Sequence, residues 1–318
     1  MKKAKKLSKA ILVIVIILML LAAAGLIAFR YFTSKLNFEN VETADMSSFA
    51  SKGVTNILLI GVDNDNLEGM DALGNADGLI IASVNTKANK IVLTSLMRDI
   101  RANIPGGGRN KLTLVYHEGG TQKLIETVEQ NFNIDIDCYV LVNYLSIIKI
   151  VDSVGGITLE LTNDEIFYMG EKIQGLCKLV GADYSANAIS RTEAGEITLN
   201  GIQTAAYLRI RYAGNADFER TERARRVILA LKDKALDMGV SGLSELTDVI
   251  LPCITTDMPQ SLMLSMLFNS PKLLNSEIIS ERIPIDGTFY LNNEYGGAYV
   301  DIDFEKNSEY LHNLIYGR

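Results

Sequence analysis

The stretch "AILVIVIILMLLAAAGLIAF", residues 10–29, holds twenty residues without a charge and constrains the chain more than any other segment. About 20 apolar residues is the length a helix needs to cross a bilayer core, so the stretch predicts one transmembrane helix. Lys2, Lys3, Lys5, Lys6 and Lys9 crowd its N-terminal side, against Arg30 and Lys35 on the other. The positive-inside rule then places the tail, residues 1–9, in the cytoplasm and everything beyond residue 29 outside. A cleaved signal peptide ending near Ala22-Ala23-Ala24 is the competing reading, but the apolar run continues through Leu26, Ile27 and Phe29. Either reading exports the rest of the chain.

Charge narrows the classes of partner. Residues 1–35 carry seven Lys or Arg and no acid, which leaves 24 basic against 38 acidic residues beyond them, a balance of −14. So acidic a body repels a polyanion, which argues against a nucleic-acid partner. Yet "RIRYAGNADFERTERARR", residues 209–226, packs six arginines into eighteen residues. That concentration in an acidic body points to a local site for a small anion. Cys138, Cys177 and Cys253 are an odd number with no C-x-x-C or Cys/His spacing, which argues against a disulfide framework or a zinc site.

No Pro- or Gly/Ser-rich linker divides the exported part, so residues 30–52 are expected to form a stalk and residues 53–318 one domain. "VTNILLIGV" (54–62), "GLIIASV" (78–84) and "KIVLTSLM" (90–97) are short, β-branched runs bounded by turn residues and predict strands, the last two a hairpin across "NTKAN". Helical patterns follow at 120–132 and 145–154, around a strand at 138–144. Downstream, "LNGIQTAAYLRIRY" reads as a helix running into a strand, and "FERTERARRVILALKDKAL" as a long helix. "PQSLMLSMLFN" reads as another helix, with a strand near 278–285 and a last helix over 303–316. Strands alternating with helices predict an α/β fold with helices packed on a mixed sheet.

The three-strand meander brings charged residues to one rim: Asp63 and Asp65 end its first strand, Asp77 begins its second, and Arg98-Asp99 ends its third. The Gly106-Gly107-Gly108 loop that follows has the freedom to approach a ligand closely. In the expected strand "YLRIRY", Arg209 and Arg211 share one face. In the long helix the apolar stripe Ala224, Val227, Ile228, Leu231 extends back onto Arg220 and Arg223, so these two face inward. Arg225 and Arg226 are expected to be surface charges. Inward arginines need an anion or a carboxylate partner. An internal Arg–Asp network is one reading, and a phosphate clamp, with guanidinium forks beside a helix N-terminus, is the other. Carboxylates amid arginines suggest a metal-bridged polyphosphate, with Asp63 and Asp77 on a hard cation such as Mg2+, unless Asp63 and Asp65 simply cap a turn. His117 and His312 are isolated, and no Ser-His-Asp or Cys-His arrangement is present.

The ordered set "NILLIGVD", "NADGLIIASVN", "LTSLMRD", "IPGGGRNKL", "VDSVGGI", "LNGIQTAAYLRIRY" and "DFERTER" resembles the LytR-CpsA-Psr family of Gram-positive envelope proteins, over roughly residues 54–235. The resemblance implies an α-β-α layered domain that transfers a glycopolymer from a polyprenyl-pyrophosphate carrier to a peptidoglycan acceptor with Mg2+. It implies metal-associated carboxylates at Asp63 and Asp77. It also implies pyrophosphate contacts from Arg98, Lys111, Arg209, Arg211, Arg220 and Arg223, and an aspartate, Asp217, where the acceptor arrives. Arg98, Asp217 and Arg220 are then the catalytic candidates. The family buries the lipid chain in an apolar cavity. The chain departs from the common pattern where Asn75-Ala76-Asp77-Gly78 replaces Arg-Ser-Asp-Thr, an arginine for which Arg101 stands in, and where Ala224 replaces a glutamine. The expected function is a membrane-anchored phosphotransferase. The rivals are a pyrophosphate hydrolase using the same clamp and a non-catalytic envelope sensor.

Overall fold

Strands buried on both faces read as continuous apolar runs rather than alternating ones, and the meander owes its three runs to such burial. The computed structural model describes residues 29–39, 53–63, 74–190, 193–211, 217–293 and 298–317. Residues 1–28, nearly all of the apolar run among them, and residues 40–52 lie outside the described residues, and among the described ones no helix is long and apolar enough to cross a membrane.

Strands β1 (Asn37–Phe38), β2 (Val54–Val62), β3 (Ala76–Asn85), β4 (Lys90–Leu96), β5 (Arg101–Asn103) and β6 (Arg109–Lys111) lead to helix α1 (Leu112–Phe132). Next come β7 (Cys138–Asn143), α2 (Tyr144–Ser153), β8 (Ile157–Leu161), α3 (Asn163–Val180), α4 (Tyr184–Asn187), β9 (Gly195–Leu199), α5 (Gly201–Leu208) and α6 (Asp217–Ile250). Then follow β10 (Thr255–Thr256), α7 (Gln260–Leu274), β11 (Glu277–Ile283), β12 (Phe289–Asn292), β13 (Tyr299–Ile302) and α8 (Phe304–Tyr316).

The central sheet has the order β1-β10-β7-β2-β3-β4-β11 and is mixed. β2, β3 and β4 pair antiparallel as the meander requires, while β7 runs parallel to β2 and β11 parallel to β4. Alternate residues of β2 feed two cores. Leu58, Ile60 and Val62 pack with α1 and α8 on one face, and Ile57 and Leu59 with α6 and α7 on the other. This is the α/β fold with a mixed sheet, helices covering both faces.

A third cluster joins α2, α3, α5 and the antiparallel pair β8–β9 to Val227 of α6. Its closest approach is at Gly201, where a Cβ would sit 2.2 Å from the Ile148 carbonyl oxygen, so only glycine lets α5 cross α2 here. A buried ion cluster pins α6 to this subdomain. Arg223, 1% exposed, reaches Glu165 of α3 at 3.0 Å, Glu219 at 3.0 Å and the carbonyl oxygen of Ile210 at 3.3 Å. Arg226 approaches the same Glu165 at 3.4 Å.

Burial alone would push the Glu165 carboxyl up, but the Thr162 N–H and the two arginines outweigh it and hold the carboxyl below the usual carboxylate range. Breaking a buried pair on one side strands the other charge, so Arg223→Ala should cost about 3–5 kcal/mol in chemical denaturation. Because the folded pKa of Glu165 is depressed, its contribution is present above the ordinary carboxylate pKa and is lost as pH falls through the folded value. Unfolding titrations into acid should show that loss, and Glu165→Gln should flatten it.

Candidate functional site

β2 ends at Val62, and the chain that follows it is held by Asp63, whose backbone N–H donates to the Asn75 carbonyl at 3.0 Å. The Asp63 carboxylate accepts hydrogen bonds from the backbone and side-chain amides of Asn75, the latter at 3.1 Å. Asp77 stands one residue into β3, on the strand beside Val62, and Arg98 lies just past the end of β4. The meander thus delivers Asp63, Asp77 and Arg98 to one rim, as its antiparallel order dictates.

Asp77 is gripped from two sides. Arg98 donates to it through Nη1 at 2.5 Å, and Arg220, in the first turn of α6, binds its other oxygen through Nη2. Arg220 is 6% exposed, and its Nη1 has no hydrogen-bond partner among the described residues. The Ser95 hydroxyl donates to the Thr221 carbonyl at 3.2 Å, fastening this end of α6 to β4. Burial raises the Asp77 carboxyl, but Arg220 and Arg98 outweigh it and hold it below the usual range, so the carboxylate stays ionised at neutral pH.

Two chambers meet at this triad. The polar one takes Asp63 and Asp77 from the sheet edge, Glu171 and Lys172 from α3, and Arg209, Arg211 and Arg220. The apolar one runs between the sheet and α6, walled by Leu59, Ile80 and Val140 on one side and Val227, Ile228 and Leu231 on the other. Asp77 and Arg220 line both. At the junction Gly61 and Gly78 face each other across β2 and β3 on the chamber side, so no side chain narrows the passage there. Tyr144, at the start of α2, lines the apolar side and lies under the Arg209 guanidinium, 4.8 Å from ring centroid to Cζ.

The structure corrects the route by which Arg209 and Arg211 arrive. Residues 207–211 of "YLRIRY" are not a strand: α5 runs to Leu208, Arg209 is its C-cap residue, and Arg211 lies beyond it, exposed. Asn200 and Gln203 form a capping box that starts the helix, and its buried face of Ile202, Ala205 and Ala206 carries it on to Leu208. The two arginines nevertheless reach the same chamber.

Other expected residues go elsewhere. Arg223 faces inward as its phase requires, but into the Glu165 cluster rather than a chamber. Lys111 binds Asp99 at 2.7 Å, and Asp99 approaches Arg98 Nε at 3.3 Å, so Lys111 backs the site instead of lining it. Arg101 binds Asp301 through two bonds of 2.7 Å, away from Asp77, and so does not stand in for a missing arginine there. The Gly106–Gly108 turn joins β5 and β6 and lines neither chamber. Arg225 is not a surface charge: it is 7% exposed, because α6 lies against the sheet, where Glu281 of β11 neighbours it. Arg226 is half-buried at the margin of the stripe, on Glu165 and the Glu160 carbonyl. Asp217 opens α6 but its side chain lies outside the described residues, as does Asp65.

Glu171 and Lys172 were not anticipated. Their helix carries a sequence signal, the capping box Thr162–Glu165 followed by Gly181 at the C-cap. Among the described residues no three His, Cys, Asp or Glu side chains gather as a metal cage. Two carboxylates on one rim are nonetheless a donor set that Mg2+ accepts when water and substrate phosphates complete its octahedron, and a carboxylate bonded to arginine retains lone pairs for it.

Known proteins share this sequence and architecture. A teichoic acid transferase of Enterococcus faecalis, named polyisoprenyl-teichoic acid–peptidoglycan teichoic acid transferase TagU, is 32% identical over 267 residues, covering 81% of each chain. Biofilm regulatory protein A of Streptococcus mutans is 31% identical over 256 residues, 76% of this chain and 58% of that one. Among solved structures, the LytR-CPS2A-psr family protein YwtF (TagT) with bound octaprenyl pyrophosphate lipid superposes with a TM-score of 0.62 at 19% identity, over 87% of this chain and 98% of that one, a likeness of fold. The sequence pattern of the LytR_cpsA_psr family matches residues 30–313, and the chain belongs to that family.

Proposed function

We propose that the protein is a membrane-anchored phosphotransferase that moves a glycopolymer from a polyprenyl-pyrophosphate carrier to peptidoglycan outside the cell. The observation that carries this reading is the junction at Asp77 and Arg220, where an apolar chamber opens into a cationic one. A prenyl chain attached to a pyrophosphate has that same division, an apolar tail ending in a compact polyanion. The named activity of the Enterococcus faecalis relative and the lipid in the YwtF structure support the reading.

In this mechanism the tail lies along Leu59, Ile80 and Ile228, and the pyrophosphate sits beyond Asp77. Arg209, Arg211 and Arg220 supply guanidinium forks to its oxygens, and the free Nη1 of Arg220 is a buried donor ready for one of them. A hydroxyl oxygen of the wall glycan bonds to the glycan-bearing phosphorus as the bond from that phosphorus to the bridging oxygen breaks. Polyprenyl monophosphate leaves, and the product is a phosphodiester. Asp217 is assigned as the group that takes the hydroxyl proton. Arg98 and Arg220 stabilise the charge that develops, which is most of what phosphoryl transfer asks of a protein. We assign Asp63 and Asp77 to hold Mg2+, which when bound would neutralise pyrophosphate charge.

Purified protein given a lipid-linked oligosaccharide and peptidoglycan fragments should form a covalent phosphodiester. Free phosphorylated glycan alone would establish the hydrolase instead, and no turnover of any kind would favour a sensor. A charge-assisted hydrogen bond contributes about 1.5–3 kcal/mol, so Arg209→Ala, Arg211→Ala and Arg220→Ala should each slow transfer at least about tenfold. Arg→Lys at Arg209 or Arg220 should recover only part of the rate, because an ammonium lacks the planar fork. Chelation should abolish transfer, with Mg2+ restoring it. Asp63→Ala should raise the Mg2+ concentration required while leaving the thermal melt close to that of the parent protein.

A further inference from the structure

Helix α7, "QSLMLSMLFNSPKLL", has one charged residue, Lys272, in fifteen and no acid. A surface helix of a soluble domain turns one apolar stripe inward and a polar face outward. α7 does the first, since Leu262, Met266 and Leu273 pack against the sheet with Ile228 of α6. It does not do the second. Phe268 is 80% exposed and Leu267 59%, and Met263 and Leu264 lie half-buried on the same side, one turn back.

The position of this face says what covers it. The Gln260 side chain, at the start of α7, donates to the Thr33 hydroxyl at 3.4 Å. β1 pairs with β10 just ahead of α7, and the Asn37 amide donates to the Pro252 carbonyl at 2.8 Å. Residues 29–33 are helical, so Thr33 stands four residues, about 6 Å, beyond the last residue of the apolar run. The chain therefore joins the domain at the end where α7 begins. If the run spans the bilayer, α7 lies at the bilayer surface, and its outward apolar face meets lipid.

We propose that α7 is an interfacial helix, seated in the outer leaflet through Met263, Leu264, Leu267 and Phe268. This rests on the membrane-anchored reading above. Helices of this kind bury an apolar face about 5–10 Å into the boundary between headgroups and acyl chains. The inner face of α7 shares its packing cluster with Leu59, Val140 and Ile228, which also wall the apolar chamber. Seating α7 in the leaflet thus holds that chamber one packing layer from the lipid pool that supplies its substrate.

The chain contains no tryptophan, so Phe268→Trp creates a single reporter at a position too exposed to disturb folding. The full chain is reconstituted into phosphatidylcholine–phosphatidylglycerol vesicles whose acyl chains carry bromine near the headgroup. Emission should shift to the blue and lose about half or more of its intensity at the expected 5–10 Å depth. Glu309→Trp, exposed on α8 across the sheet, should remain unquenched. A water-like, unquenched Phe268→Trp signal from chain that floats with the vesicles overturns the interfacial helix and leaves the anchor standing. A blue shift without bromine quenching that grows with protein density assigns the face to a second copy and also overturns it. Chain that does not float at all overturns the anchor, and the proposal with it.

Discussion

The Asp77 carboxylate, held between the guanidinium groups of Arg98 and Arg220, is the contact on which the rest of the site depends. A carboxylate with 6% of its side chain exposed is tolerable only when paired, and two arginines supply more than it loses. One partner comes from the sheet and the other from the longest helix, so the triad fixes where α6 begins relative to the sheet edge. The same contact divides the space beneath the helix into an apolar part and a cationic part.

Arg223 and Glu165 perform the complementary task. They sit one helical turn from the triad and tie α6 to α3, which carries Glu171 and Lys172 into the polar chamber. Gly201, by letting α5 cross α2 at backbone contact, sets where that helix ends and hence where Arg209 projects. The polar chamber is therefore assembled from the sheet edge and three helices, and the apolar chamber from the sheet and the stripe of α6. An ion cluster that ties two helices together lies beside the one at which the two chambers meet. Burial alone does not tell them apart; what does is which carboxylates each arginine reaches.

Much of this was legible beforehand. The NTKAN turn predicted the β3–β4 hairpin, and Asp63, Asp77 and Arg98 were expected at one rim on the condition that β2 runs antiparallel to β3, as it does. The 3.6-residue period placed Arg220 and Arg223 inward. The family resemblance was recognisable from linked motifs, because spacing along strands and tight turns is a local property. Where local signals conflicted, expectation failed. Arg209, Ile210 and Arg211 alternate as a strand does, yet the helix that the capping box starts nine residues before Arg209 runs through Leu208 and leaves them at and just past its C-cap.

Sequence by itself determined the uncharged twenty-residue run, the strand order of the meander, the inward phase of the arginines and membership of the family. Those features depend on residues within a few turns of one another, or on an ordered series of them. Only tertiary structure decided that Arg223 meets Glu165 while Arg220 meets Asp77, that Arg101 is committed to Asp301, and that Arg225 is buried with Glu281 of β11 as a neighbour. Each of those outcomes joins residues dozens to hundreds of positions apart. A guanidinium group reaches only as far as its own side chain, so the choice among several carboxylates belongs to the packing of helix on sheet.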